Sequence, residues 1–126
     1  GMAAQDAVIV GEGRDAVGAV VFLEPDACGD LAGVRISSHA AAAADPAVRR
    51  HFQAVLDELA ARATGSSTFV SRAILQVSPP SAEAAEISDK GSLSARRILD
   101  NRPGEVAALF ASEPDGRVLV AGAAAG

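Results

Sequence analysis

The segment Glu86–Arg97, EISDKGSLSARR, collects the residues of this chain whose types best suit chemistry. It holds Lys90, the only lysine in a chain with ten arginines. A compact ammonium on a flexible stem can enter a confined site that the broad guanidinium fork fits less easily. Lys90 sits between Asp89 and Gly91, both turn formers, so the sequence places it in a loop. Asp89 offers it an adjacent carboxylate, although adjacent charges in a loop are more often a solvated pair. Arg96 and Arg97 follow in a stretch of helical character and offer an anion contact. On residue type alone, they suit a solvated helix end at least as well.

Other chemistries lack their residues. The two histidines, His39 and His51, are twelve positions apart, with no carboxylate or cysteine pair to complete a metal set. Both read as surface residues, and no metal is expected. The one cysteine, Cys28, excludes an internal disulfide, fits a reducing cytoplasmic compartment, and reads as buried rather than nucleophilic. There is no G-x-S-x-G nucleophile elbow. An apolar run does lead into Gly11-x-Gly13, but the next glycine is Gly18, too late for a dinucleotide fingerprint, and an apolar strand follows it. The glycines read as a hairpin turn.

The elements that must position Lys90 follow from pattern. Ala7–Val10 and Val17–Leu23 are short apolar runs around the turn cluster GEGRD, a β-hairpin. Residues 27–44, with Gly29, Gly33, Ser37, Ser38 and an alanine tract, read as an irregular connection. A helix then starts at Asp45 as N-cap and Pro46 as first residue. Val48, Phe52, Val55, Leu56, Leu59 and Ala63 share one face; Arg49, Arg50, Gln53, Asp57 and Arg62 should be solvated, and Gly65 should stop the helix. A third strand is expected over about Phe69–Val77, ended by Pro79-Pro80. Ser81–Gly91 reads as an exposed, mobile loop in which only Asp89 and Glu86 could pair with Lys90. A helix is expected over Ser92–Asn101, with Leu93 and Ile98 or Leu99 inward. Another starts at Pro103, with Val106, Leu109 and Phe110 as its stripe. Asp115-Gly116 reads as a turn and RVLVA as a last short strand.

The order β-β-α-β-α-α-β predicts an α+β fold: a small three-stranded sheet, hairpin plus crossover strand, packed with helices. A right-handed crossover would set the third strand beside the first. Length suits one domain able to bury a real core. With 49% hydrophobic residues but only four Phe and no Trp or Tyr, that core must be Val, Ile and Leu. Net charge of −5, scattered arginines and no aromatic platform argue against a nucleic-acid partner. No apolar run is long enough for a membrane span. The opening Gly1-Met2 reads as a remnant of tag removal, and residues 3–126 as a piece of a longer protein.

The order of pieces resembles the small C-terminal domain of acyl-CoA synthetases, in the adenylate-forming superfamily. QDAVIVGEGRDAVGAVVFLEP is similar to that domain's first hairpin, with Gly11, Asp15 and Gly18 matching its turn and strand. The tail EISDKGSLSARRILDNRPGEVAALFAS resembles most the tails of feruloyl-CoA synthetases and related aromatic acyl-CoA ligases. Glu86, Ile87, Asp89, Lys90, Gly91, Arg96 or Arg97, Leu99 and Arg102 line up with that pattern, while its N-Q pair is Ser94-Ala95 here. Most of the superfamily carries its lysine in S-G-K-x-x-R, and alignment on the arginine helix puts Ser92 nearest that lysine.

The resemblance implies a mobile lid domain of an ATP-dependent carboxylate–CoA ligase. Its partner would be an N-terminal adenylation domain of the same chain, holding the pockets for ATP and an aromatic or other carboxylic acid. Mg-bound ATP and CoA would be co-substrates of the full-length enzyme, with neither expected on this domain, which alone would be inactive. Lys90 would be the catalytic cation; Asp89, Gly91, Arg96 and Arg97 would be binding residues. The alternative from the residues is a stand-alone regulatory or oligomerisation module of the same small α+β class.

Overall fold

In the computed structural model the described residues are 4–11, 17–62, 70–111, 116 and 118–121, with backbone alone described at 4–6. The elements are β1 (Ala4–Val10), β2 (Val17–Leu23), α1 (Pro25–Ala32), α2 (His39–Ala44), α3 (Pro46–Arg62), β3 (Val70–Leu75), α4 (Ala95–Asn101), α5 (Pro103–Leu109) and β4 (Val118–Val120). The fold is α+β, as expected, but the sheet has four strands in the order β1-β2-β3-β4. β1 and β2 pair antiparallel, with Val8 opposite Val20. Except for Gly11, the GEGRD turn of this hairpin lies outside the described residues, as do Ala63, Gly65, Phe69 and Asp115.

β3 lies parallel to β2, not beside β1 as the crossover expectation had it. The cause is visible in β2 itself. Val20, Phe22 and Leu23 are completely buried, and Ala19 and Val21 nearly so. A strand apolar on both faces belongs at the centre of a sheet. Alternation along β2 and β3 then divides the core. Ala19, Val21, Leu23, Ala73 and Leu75 face Val48, Phe52 and Leu56 of α3, with Cys28 of α1 and Ala42 of α2 in the same cluster. Val20, Phe22 and Ile74 face the other way, onto Ile98 of α4 and Leu109 of α5. Full burial stabilises each large apolar side chain by roughly 1.5–3 kcal/mol.

α3 starts where the sequence places it. Asp45 Oδ1 accepts the backbone N–H groups of Ala47 at 2.8 Å and Val48 at 3.1 Å, satisfying donors the first turn would leave open. Two of its polar residues are not merely solvated. Arg49 donates to the carbonyls of Ala43 and Gly116, and Gln53 Nε2 donates to the Val120 carbonyl at 2.8 Å and to Asp57 Oδ1. These bonds tie α3 to α2 and to the β4 side of the sheet.

The stretch expected to be irregular carries two helices. Glu24 caps α1 through Oε1 and the Asp26 N–H, with Pro25 in the first turn, and Gly33 ends it at φ 75°. Ser38 caps α2 by accepting the Ala41 N–H at 3.0 Å, and the alanine tract, strong in helix propensity, does the rest. On the opposite face, Arg72 of β3 donates through Nη1 to the carbonyls of Leu109 at 3.0 Å and Ala111 at 3.4 Å, closing the C-terminal end of α5.

Candidate functional site

The segment between β3 and α4 is a built structure rather than a featureless loop. Gln76 follows β3 and still bonds to the sheet, its N–H donating to the Val21 carbonyl at 2.9 Å. Residues 72, 74 and 76 share one face of the strand, so Gln76 enters the α4–α5 side of the core, where it is 1% exposed. An inward polar group in an apolar strand needs partners. Its amide oxygen accepts from Arg102 Nη1 at 2.8 Å, and its Nε2 donates to Glu105 Oε1 at 3.0 Å.

Arg102 is the hub. It stands between α4 and α5, its backbone held out of helical form ahead of Pro103. Nε donates to Glu86 Oε2 at 3.0 Å and Nη2 to Glu86 Oε1 at 2.9 Å, a two-point fork. The remaining donors reach Gln76 Oε1, Ser78 Oγ at 3.1 Å and the Pro79 carbonyl at 2.9 Å. All five guanidinium N–H groups are thus engaged. The Arg102 guanidinium carbon also lies 4.9 Å from the centroid of the Phe22 ring, within cation–π range.

Glu86 is 2% exposed, the most deeply buried acidic residue among those described. Its Oε1 also accepts the Ser81 N–H at 2.8 Å. The Arg102 hydrogen bonds hold its carboxyl below the usual range, against the upward push of burial and with help from the Ser81 amide. Glu86 is therefore not a partner for Lys90, which the sequence allowed.

Above Glu86 the chain makes a small hairpin. The Glu86 carbonyl accepts the Ser94 N–H at 2.8 Å, and Ile87 pairs with Leu93 across an isolated antiparallel bridge. The Ser88 N–H donates to the Ser92 carbonyl at 2.9 Å, and the Gly91 N–H to the Ser88 carbonyl at 3.0 Å. Ser88 Oγ accepts from the Lys90 and Ser92 amides. Gly91 has φ 84°, the left-handed conformation that glycine takes without a Cβ penalty. Asp89, Lys90 and Gly91 form the tip, all exposed, and the Lys90 ammonium has no hydrogen-bond or ion-pair partner among the described residues. The tip is exposed as expected, while Glu86 of the same segment is buried.

Ser94, rather than Ser92, starts the following helix, its Oγ accepting the Arg97 N–H at 3.3 Å. Arg96 and Arg97 lie exposed in the first turn of α4, and Arg96 Nε is 4.0 Å from Asp100 Oδ2 across one helical turn. At 91% and 69% side-chain exposure, that pair contributes little.

Beside the clamp lies an open groove of about 480 Å³, lined by Ser78, Ser81, Glu86, Asn101, Arg102 and Glu105 among others. Its Arg102 donors are already committed internally. The other reactive residues lie elsewhere. Cys28 is fully buried in α1, and burial pushes its thiol above the ordinary value. His51 is half-buried rather than on the surface, edge-on to Phe52 at 5.1 Å between ring centroids. Among the described residues no group of three or more His, Cys, Asp or Glu is placed to hold a metal ion, and no helix is long and apolar enough to cross a membrane.

Compared with known proteins, the chain matches no family model, no curated protein and no solved structure.

Proposed function

We propose that this chain is the mobile C-terminal domain of an ATP-dependent carboxylate–CoA ligase, similar to feruloyl-CoA synthetases, and that Lys90 is its catalytic cation. One observation supports this reading above the others. The lone lysine stands with its ammonium uncommitted at the tip of a hydrogen-bonded turn, and it carries the motif through which the chain resembles that family. A cation that must enter another domain's site needs a free head and a defined base.

In the proposed reaction a carboxylate oxygen attacks the α-phosphorus of Mg-bound ATP. The bond to the bridging oxygen breaks, pyrophosphate leaves, and an acyl-adenylate remains. The sulfur of CoA then attacks the acyl carbon, its proton passes to solvent or a base, and AMP leaves. In the first step charge builds on the α-phosphate oxygens as the carboxylate attacks. In the second it gathers on the acyl oxygen and the departing phosphate, by which time the proposed lysine has swung out of the site. An ammonium delivered into a closed site stabilises the first-step charge more than the ground state. Ser88 and Gly91 shape the turn that carries Lys90, while Asp89, Arg96 and Arg97 lie beside it in sequence as contacts for the adenylation domain or its nucleotide.

The test is Lys90→Ala in the full-length protein. Loss of one positioned electrostatic donor costs on the order of a hundredfold in rate. Acid-dependent pyrophosphate exchange should fall on that scale, while transfer to CoA from pre-formed acyl-adenylate stays nearly intact. Lys90→Arg should rescue poorly, and Ser92→Ala, the alternative register, should do little. Equal loss in both half-reactions, or no loss in either, would refute the assignment.

A further inference from the structure

We infer that Arg102 is a positioning residue for Lys90, acting through Glu86; the inference rests on the proposed role of Lys90. The chain between these two residues closes on itself. It leaves Glu86, rises through the Ile87–Leu93 bridge to the tip, descends to Ser94, and runs down α4 to Arg102. There the guanidinium returns to the carboxylate from which the segment began, through two bonds of 2.9 and 3.0 Å. Both stems of the Lys90 turn are fixed at the same level, because the Glu86 carbonyl also accepts the Ser94 N–H.

Stability alone does not account for this arrangement. The pair is 13% and 2% exposed, with the guanidinium over the Phe22 ring, where apolar side chains of similar volume are often as stable as a buried ion pair or more so. What the fork adds is direction. A bidentate guanidinium–carboxylate contact fixes the plane of the carboxylate, and further bonds that Arg102 donates to Ser78 Oγ and the Pro79 carbonyl fix the plane of the guanidinium.

Ala85 points the same way. It has φ 62°, a left-handed conformation rare for a residue with a Cβ, and it immediately precedes Glu86. Such strain persists where the surroundings over-determine the geometry. A long, flexible lysine gains most from a fixed base, since every freedom left in the turn must be lost again when the ammonium meets its target.

A double-mutant cycle in the full-length protein tests the inference. Arg102→Lys keeps the charge but not the fork. It should lower acid-dependent pyrophosphate exchange on the order of tenfold when Lys90 is present, and cause little further loss in Lys90→Ala. Transfer from pre-formed acyl-adenylate to CoA should not change. In this chain, amide exchange at Ser88, Gly91, Ser92 and Ser94 should quicken in Arg102→Lys while α3 keeps its protection. If Arg102→Lys loses the fold, Glu86→Gln, which keeps shape and weakens the fork, should give the same pattern. An equal loss in the wild-type and Lys90→Ala backgrounds, or equal losses in both half-reactions, would overturn the positioning role and leave Lys90 catalytic. No effect of Lys90→Ala itself would instead overturn the proposed function, and the inference with it.

Discussion

Gly18 of β2 and Leu109 of α5 are packed so closely that a Cβ on Gly18 would lie 2.8 Å from Leu109 Cδ2. Leu109 is completely buried, so its side chain has little room to withdraw. Replacing a strand glycine by alanine ordinarily gains about 0.5–1 kcal/mol through the unfolded chain. Overpacking a tight core costs about 1–3 kcal/mol, and here it should win. Gly18→Ala is expected to destabilise, read as a lower urea midpoint at unchanged m-value.

The Glu86–Arg102 clamp should govern part of the acid response. The Glu86 carboxyl is held below its unfolded value of 4.5, chiefly by Arg102. Its contribution to stability is therefore present above about 4.5 and is lost as pH falls through the lower, folded value, because the unfolded chain binds the proton first. Glu86→Gln should be less stable at neutral pH, and the difference from wild type should shrink below that window. Denaturant midpoints measured across the acid range decide it; a constant difference would show that the carboxylate is not the group responsible.

Ala85→Gly should relieve the left-handed strain ahead of Glu86. The penalty for a Cβ in that conformation is roughly 1–2 kcal/mol, against about 0.5–1 kcal/mol for the freedom glycine adds to the unfolded chain. A net gain of up to about 1.5 kcal/mol in unfolding free energy is expected. A loss would place the stress elsewhere.

Cys28 should be chemically silent in the folded chain. Its thiol is completely buried, and burial raises it above the ordinary value, so little thiolate is present or reachable. An aromatic disulfide reagent should react only after denaturant is added. Rapid labelling under native conditions would contradict the packing of α1.

Mixed by itself with ATP, magnesium, CoA and a cinnamate-type acid, this chain should form no acyl-CoA. Beside its clamp the groove is open, with the Arg102 donors already engaged. Turnover above a buffer blank would remove the need for an adenylation domain and overturn the proposed division of labour.

The sequence made α3 readable because two independent signals agree there, a capping Asp45-Pro46 and an apolar stripe through Val48, Phe52 and Leu56. α1 and α2 lack the apolar stripe, and although Ser38 caps α2 in the usual way, α1 lacks an ordinary cap as well. Glu24 is an uncommon cap, Gly29 weakens the helix interior, and an alanine tract has no side chains large enough to mark a stripe. Strand order was half visible: the unbroken apolar run of β2 marks a central strand, but alternation does not say which neighbour takes which side. The tip around Lys90 was visible from composition and turn residues. Its support was not, because the clamp joins side chains from three separate stretches at Gln76, Glu86 and Arg102–Glu105, and spacing carries no trace of such a meeting. Gln76, polar at an inward position of an apolar strand, was the one available sign.

The residues at the tip, Ser88 to Ser92, are exposed throughout, while the anchoring lies below them at Glu86, Ser94 and Arg102. The tip therefore behaves as an exchangeable cassette on a fixed mount. Substitutions of Asp89, Lys90 or Ser92 that keep the turn should barely move a melting temperature, so a screen for stability would pass over Lys90, the proposed catalytic cation. Folding places few demands on these exposed side chains, in contrast to the buried anchoring pair beneath them.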